Sequence, residues 1–256
     1  MSTQKFVREG RMGPPMSYKT GAVVESYPKP MLVFEFDIGG LDVVKQPIER
    51  LAPVETFKLR EYCKKPIEQL PKILAVEFGT AVPRMLNLTI KTYESLTAIK
   101  FADLVNEVVV SGCPWRTVVL DPMTGLNEAF FGQIGVTDSA AMNDARQWAF
   151  KVGVLVQRTI MVLQGLPCHT VFIMHSETEK NDITGEIITE PMIPSKFRQR
   201  AASMFSQFFY AAIEGGKPVV YAQPTGFVKS VGMRRPEASP AKMGALFNDI
   251  YGKDYE

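Results

Sequence analysis

The chain has 256 residues, 46% of them hydrophobic and 22% charged, the make-up of an ordinary soluble globular protein able to bury a sizeable core. Its 29 basic and 27 acidic residues leave a formal charge of +2, so no global basic field announces nucleic acid, and any such contact must come from a local patch. No apolar run approaches the about 18 residues of a membrane span, MSTQKFVREG lacks the apolar stretch of a signal peptide, and Cys63, Cys113 and Cys168 have neither zinc nor disulfide spacing. One cytoplasmic domain with no membrane contact is expected.

Residues 1–12 are polar and charged apart from Phe6, Val7 and Met12, so a strand here would be short and poorly apolar. Gly13 to Thr20 then reads GPPMSYKT. The phosphate-loop pattern is G-x-x-x-x-G-K-[ST]: glycines let backbone amides wrap phosphates, the lysine reaches the β- and γ-phosphates, and the hydroxyl holds Mg²⁺. Gly13, Lys19 and Thr20 keep that spacing, with Pro14, Pro15, Met16 and Ser17 between them. Tyr18 stands where the second glycine belongs, in a position crowded by the phosphates. GAVVESY after it reads as the start of the helix whose N-terminal amides hold phosphate, ended by Pro28 and Pro30. Met31 to Asp37 is a buried strand, and residues 38–41 turn out of it.

Between Asp42 and Arg84 the signals are mixed: a strand is expected at Thr56 to Leu59 and a helix from Pro66 to Phe78. Met85 to Ile90 reads as a strand, and Tyr93 to Val110 as a helix with one apolar face. Trp115 to Leu126, WRTVVLDPMTGL, is a short apolar strand delivering Asp121 at its C-terminal end, followed by a turn. Such an aspartate caps the next helix, or, beside a phosphate loop, holds Mg²⁺; its order and separation from Lys19 and Thr20 favour the metal.

Ala140 to Leu163 is a long core helix, and Pro167 to Met174 a buried strand that delivers His175. His175 reads as a surface residue or as a sensor of the γ-phosphate, and His169 as structural. Glu177 to Glu190 is polar, with a hairpin turn at Gly185. PSKFRQR at 194–200 sets Lys196, Arg198 and Arg200 around Phe197, a solvated face or a nucleic-acid contact. Phe205 to Ala212 and Pro218 to Ala222 read as paired edge strands, Arg234 and Arg235 sit in a loop, and Ala241 to Tyr251 is a closing helix.

With these pieces placed, the chain resembles the RecA-like P-loop ATPases of bacteriophages linked to single-strand annealing and recombination. The carriers are GPPMSYKT at 13–20, YPKPMLVFEFDIGGL at 27–41, TVVLDPMTGL at 117–126, VFIMHSE at 171–177 and PMIPSKFR at 191–198, which together span most of the chain. The resemblance implies an α/β fold with a mainly parallel, twisted sheet flanked by helices and antiparallel C-terminal strands, binding ATP and Mg²⁺ where the strands end. It implies that Lys19 contacts the phosphates, that Thr20 and Asp121 hold the metal, that Asp37 or Glu35 polarises the attacking water, and that His175 is the polar sensor. Rings or filaments of copies acting on single-stranded DNA are also implied, with Arg198, Arg200, Arg234 or Arg235 completing a neighbour's site. Its rival is a degenerate scaffold or loader subunit that binds nucleotide weakly or not at all, which Met16 and Tyr18 favour. A metabolic P-loop kinase would want an arginine-rich lid, which the sequence lacks.

Overall fold

The structure is a computed structural model that describes residues 6–37, 39–78, 90–138, 143–180, 182, 185–198, 200–226, 228, 231–233 and 241–252. Its elements are β1 (Arg8–Gly13), α1 (Lys19–Ser26), β2 (Met31–Glu35), β3 (Glu49–Leu51), α2 (Thr56–Cys63), β4 (Ile73–Glu77), α3 (Ile90–Val110), β5 (Thr117–Asp121), α4 (Met123–Thr137) and α5 (Ala145–Gln164). There follow β6 (His169–Lys180), β7 (Ile187–Pro191), α6 (Ser195–Arg198), β8 (Gln207–Glu214), β9 (Lys217–Tyr221), β10 (Gly232–Met233), β11 (Lys242–Gly244) and α7 (Phe247–Tyr251).

Among the described residues the main sheet runs β11-β9-β8-β1-β6-β5-β2-β4-β3, with β7 on β6 and β10 on β8. Every pairing from β8 through β3 is parallel, whereas β9, β10, β11 and β7 join antiparallel. Parallel neighbours need crossovers, and the helices supply them. Alternation along the strands splits the core in two. Leu32, Phe34, Val76 and Leu120 pack with α3, α4 and α5, while Met31, Val33, Ala75 and Val119 pack with α1 and α7. The α/β architecture with antiparallel C-terminal strands is thus as expected. No helix among the described residues is long and apolar enough to cross a membrane, and the three cysteines are free and buried.

β1 forms despite its composition. On one face Gly10 admits the Phe208 ring, which would lie 2.4 Å from a Cβ there. On the other, Glu9 and Arg11 are both 0% exposed and pair with each other at 2.7 Å. Arg11 also donates to Tyr27 Oη and to the Ala245 carbonyl, each at 3.0 Å, and both Tyr27 and Tyr251 donate to Glu9. Burial of this ion pair is tolerated because its other polar atoms find partners.

Several expectations are corrected. Thr56 to Leu59 is not a strand but the start of α2, which buries Leu59 and Cys63, four residues apart, on one side. Pro66 to Phe78 is not a helix: a single 3-10 turn at Ile67–Gln69 leads into β4, whose run of apolar residues suits a parallel strand buried on both faces. The turn after Asp121 opens directly into α4. The strand expected at Phe205 to Ala212 is β8, which starts at Gln207, and both it and β9 are interior strands rather than edges; the closing helix starts only at Phe247, after β11. Apart from Ile90, where α3 begins, the strand expected at 85–90 lies outside the described residues.

Candidate nucleotide site

Five parallel strands meet along one edge, where β1, β2, β4 and β5 end and β6 runs on: Gly13 of β1 lies in register with His175 of β6, and Glu35 of β2 with both Asp121 of β5 and Glu77 of β4. A cavity of about 740 Å³ opens there, walled by residues 15–21, the turn after β2, Asp121 and His175. Ligand crevices of open α/β sheets lie at such strand ends.

The loop between β1 and α1 enters under a steric constraint, since a Cβ on Gly13 would fall 2.5 Å from the Ala211 carbonyl oxygen. Met16 and Tyr18 then adopt left-handed backbone, φ 61 and φ 60, at a cost of about 1–2 kcal/mol for each side chain that bears a Cβ. Met16 is 96% exposed at the loop tip. The Tyr18 ring lies against Gly21, where a Cβ would sit 2.4 Å from it, and its hydroxyl donates to Glu25 Oε2 at 2.5 Å. That bond pushes the phenol pKa up to about 12. Tyr18 thus holds a left-handed backbone while a glycine three residues later receives its ring.

Lys19 is buried, and its Nζ donates to Gly13 O at 3.0 Å, Pro14 O at 2.7 Å and Ser17 Oγ at 3.1 Å. Burial lowers its pKa to about 8, against the pull of Asp121 and Asp37. Thr20 Oγ1 donates to Asp121 Oδ2 at 2.5 Å, a contact between residues 101 apart in sequence. Burial pushes Asp121 up to about 6; the Thr20 bond opposes this and Asp37 adds to it. A hydroxyl and a carboxylate oxygen this close, opening onto the cavity, suit a hard divalent cation such as Mg²⁺, which typically takes one or two protein oxygens plus substrate phosphates. Among the described residues no group of three or more His, Cys, Asp or Glu forms a metal cage, and such a site needs none.

Glu35 and Asp37 separate here. β2 ends at Glu35, which is 2% exposed and turned behind the cavity wall, accepting the Leu41 N–H at 2.8 Å. Burial raises its pKa to about 7. Asp37 lines the cavity, half exposed, with Oδ2 3.3 Å from His175 Nε2. His175 receives further support through its backbone N–H, which donates to Thr124 Oγ1 at 3.3 Å. Its Nδ1 is buried without a partner among the described residues. His169 is structural, accepting the Val7 N–H at Nδ1.

The basic stretch is placed differently from its sequence expectation. Phe197 is buried and fills the space above Gly153, so it is not presented for stacking on a base. Arg198 is held by Glu177, Glu179 and Glu190. Arg200 is exposed, and the Lys196 side chain, Arg234 and Arg235 lie outside the described residues. Sequence reasoning missed Arg50 of β3, which faces Glu35, Asp42 and Glu77. No local signal marks it, because only the parallel register of a three-residue edge strand brings it there.

A comparison with protein-family models matches residues 13–230 to the family described as AAA domain. A comparison with curated proteins finds no match.

Proposed function

The chain belongs to the AAA domain family, a family of P-loop NTPases, and on that premise we propose that it binds ATP with Mg²⁺ at this cavity and hydrolyses it. The observation that carries the reading is the Thr20–Asp121 contact beside buried Lys19. It joins the end of the phosphate loop to the end of β5 in the pair of oxygens a nucleotide-bound cation takes.

In this reading the N-terminal amides of α1 and the Lys19 ammonium receive the β- and γ-phosphates, and Thr20 and Asp121 hold Mg²⁺. The bound cation supplies neutralisation of charge between the phosphates. Asp37, on the cavity wall, orients and polarises the attacking water, and His175 on the same wall fixes Asp37 through Nε2 and serves as the polar sensor of the terminal phosphate. Tyr18 is no bar to this arrangement, since its ring is received by Gly21. Action on single-stranded DNA in phage recombination, and assembly into a ring or filament, are supported by the sequence resemblance alone. Arg200 is the exposed described cation of the expected patch.

Calorimetry with Mg·ATP tests the reading. Wild type should bind, Lys19→Ala should bind far more weakly, and Asp37→Asn should keep affinity while losing turnover, as expected of a group acting mainly in the transition state. No heat of binding from either wild type or Lys19→Ala would return the chain to the scaffold reading.

A further inference from the structure

Glu35 has the burial and location of a catalytic acid but not the access. It is 2% exposed and is not on the cavity wall, which is built instead by Asp37, Gly39 and Gly40. Its contacts run to the back of that wall. Oε1 accepts the Leu41 N–H at 2.8 Å, and a Cβ on Gly40 would stand 3.1 Å from the same oxygen. Oε2 lies 3.9 Å from Arg50 Nη1, and Arg50 reaches on to Asp42 at 3.2 Å and to Glu77. One buried carboxylate and one edge-strand arginine therefore grip the 39–42 turn, whose Gly40 packs against Asp37.

Resting on the ATPase reading above, we propose that Glu35 and Arg50 are positioning residues: they brace the 39–42 turn, and through it set Asp37 and the glycine backbone against the phosphate cavity. Neither touches the substrate. Glu35 is the inner anchor, because it bonds the turn backbone from below. Arg50 is the outer one, tying the turn at Asp42 to the ends of β2 and β4. Geometry of this kind matters because a displacement of about 1 Å in a group aimed at a reacting atom can cost about a hundredfold in rate.

The test compares Glu35→Ala, Glu35→Gln and Arg50→Ala with wild type, by steady-state ATP hydrolysis and by hydrogen exchange of a peptide spanning residues 39–44. Glutamine keeps an oxygen for the Leu41 N–H, whereas alanine removes it. Glu35→Ala should lower kcat by about ten- to a hundredfold with KM for ATP little changed, and should speed exchange of the turn about tenfold, the loss of roughly one hydrogen bond. Glu35→Gln should rescue both readouts to within about threefold of wild type. Arg50→Ala, at a side chain 38% exposed, should shift both in the same direction by less, and it carries the test if Glu35→Ala does not fold.

Equal loss of turnover in the alanine and glutamine variants would overturn the proposal, since it would make Glu35 a general base. Unchanged kcat and unchanged exchange in Glu35→Ala and Arg50→Ala would also overturn it. Were the wild type to turn over no ATP, the ATPase reading would fall on its own, and the exchange measurements alone would then decide for or against the brace.

Discussion

The contact between Tyr18 and Gly21 can be isolated by a double-mutant cycle, because each residue explains the other. In Gly21→Ala the added methyl would start 2.4 Å from the Tyr18 ring, so the ring must leave its site and strain its 2.5 Å bond to Glu25. Such overpacking costs about 1–3 kcal/mol, partly offset by the about 1 kcal/mol by which alanine exceeds glycine in a helix. In Tyr18→Gly the ring is absent and the left-handed strain of about 1–2 kcal/mol is relieved, against the loss of one hydrogen bond worth about 1 kcal/mol. That variant should be close to wild type in stability and should still bind Mg·ATP. Adding Gly21→Ala to Tyr18→Gly should then be neutral or stabilising. The coupling energy comes out at about 1–3 kcal/mol, well above the about 0.5 kcal/mol scatter of independent sites. Urea unfolding of the four proteins measures it. Additivity within that scatter would refute the idea that Gly21 exists to receive Tyr18, and loss of nucleotide binding in Tyr18→Gly would show instead that the ring itself contacts ligand.

Two further outcomes follow from buried charge. Asp121 titrates near 6 when folded, above its ordinary 3.8, and Glu35 near 7, above 4.5. The folded state therefore holds protons that the unfolded state has released, and the stability this gives is full below pH 4 and lost as pH rises through 6 to 7. Ligand-free Asp121→Asn should accordingly be more stable than wild type at pH 8, by on the order of 2 kcal/mol, yet hydrolyse no ATP; thermal unfolding against pH checks the first half and a phosphate-release assay the second. Arg11→Ala should cost about 3–5 kcal/mol, because it leaves Glu9 charged and unpaired in the core, and chemical unfolding reads that loss directly.

The parts of the fold legible in sequence were those whose signal is local. The continuous apolar runs of β2 and β5, the long amphipathic α3 and α5, the Gly185 hairpin and the spacing from Gly13 to Thr20 all lie within one window each. Thr56 to Leu59 suits a strand on its own because it holds only one of the two buried residues of its helix; the helical period shows only when Cys63, beyond that stretch, is counted with Leu59. Phe197 looked like an exposed aromatic among cations, and only the absence of a side chain at Gly153, 44 positions upstream, shows that it is received by the core. The candidate site was legible in its lysine, hydroxyl and carboxylate at motif spacing, but not in its supports. Thr124, Arg50 and Gly21 act through register and close approach, which no local pattern encodes.

β1 carries the same lesson furthest, because the residues that made it look unfit for a core strand also position the site. Local hydrophobicity counts Glu9 and Arg11 against burial, yet Arg11 meets a tyrosine at the end of α1, and Glu9 meets that tyrosine and another 242 residues away. Those bonds tie β1 to the C-terminal end of α1 and to α7, and the phosphate loop is the segment that spans from β1 back to the N-terminal end of α1. Between these two anchors the loop from Gly13 to Tyr18 holds Met16 and Tyr18 in left-handed backbone. Arg11 also bears on the chemistry, since its charge joins burial in lowering the pKa of Lys19. With a pKa of about 8 the ammonium still carries its charge near neutrality, held out of bulk water beside the cavity. The charged pair that weakens β1 as a strand thus also acts on the lysine of the cavity at its end.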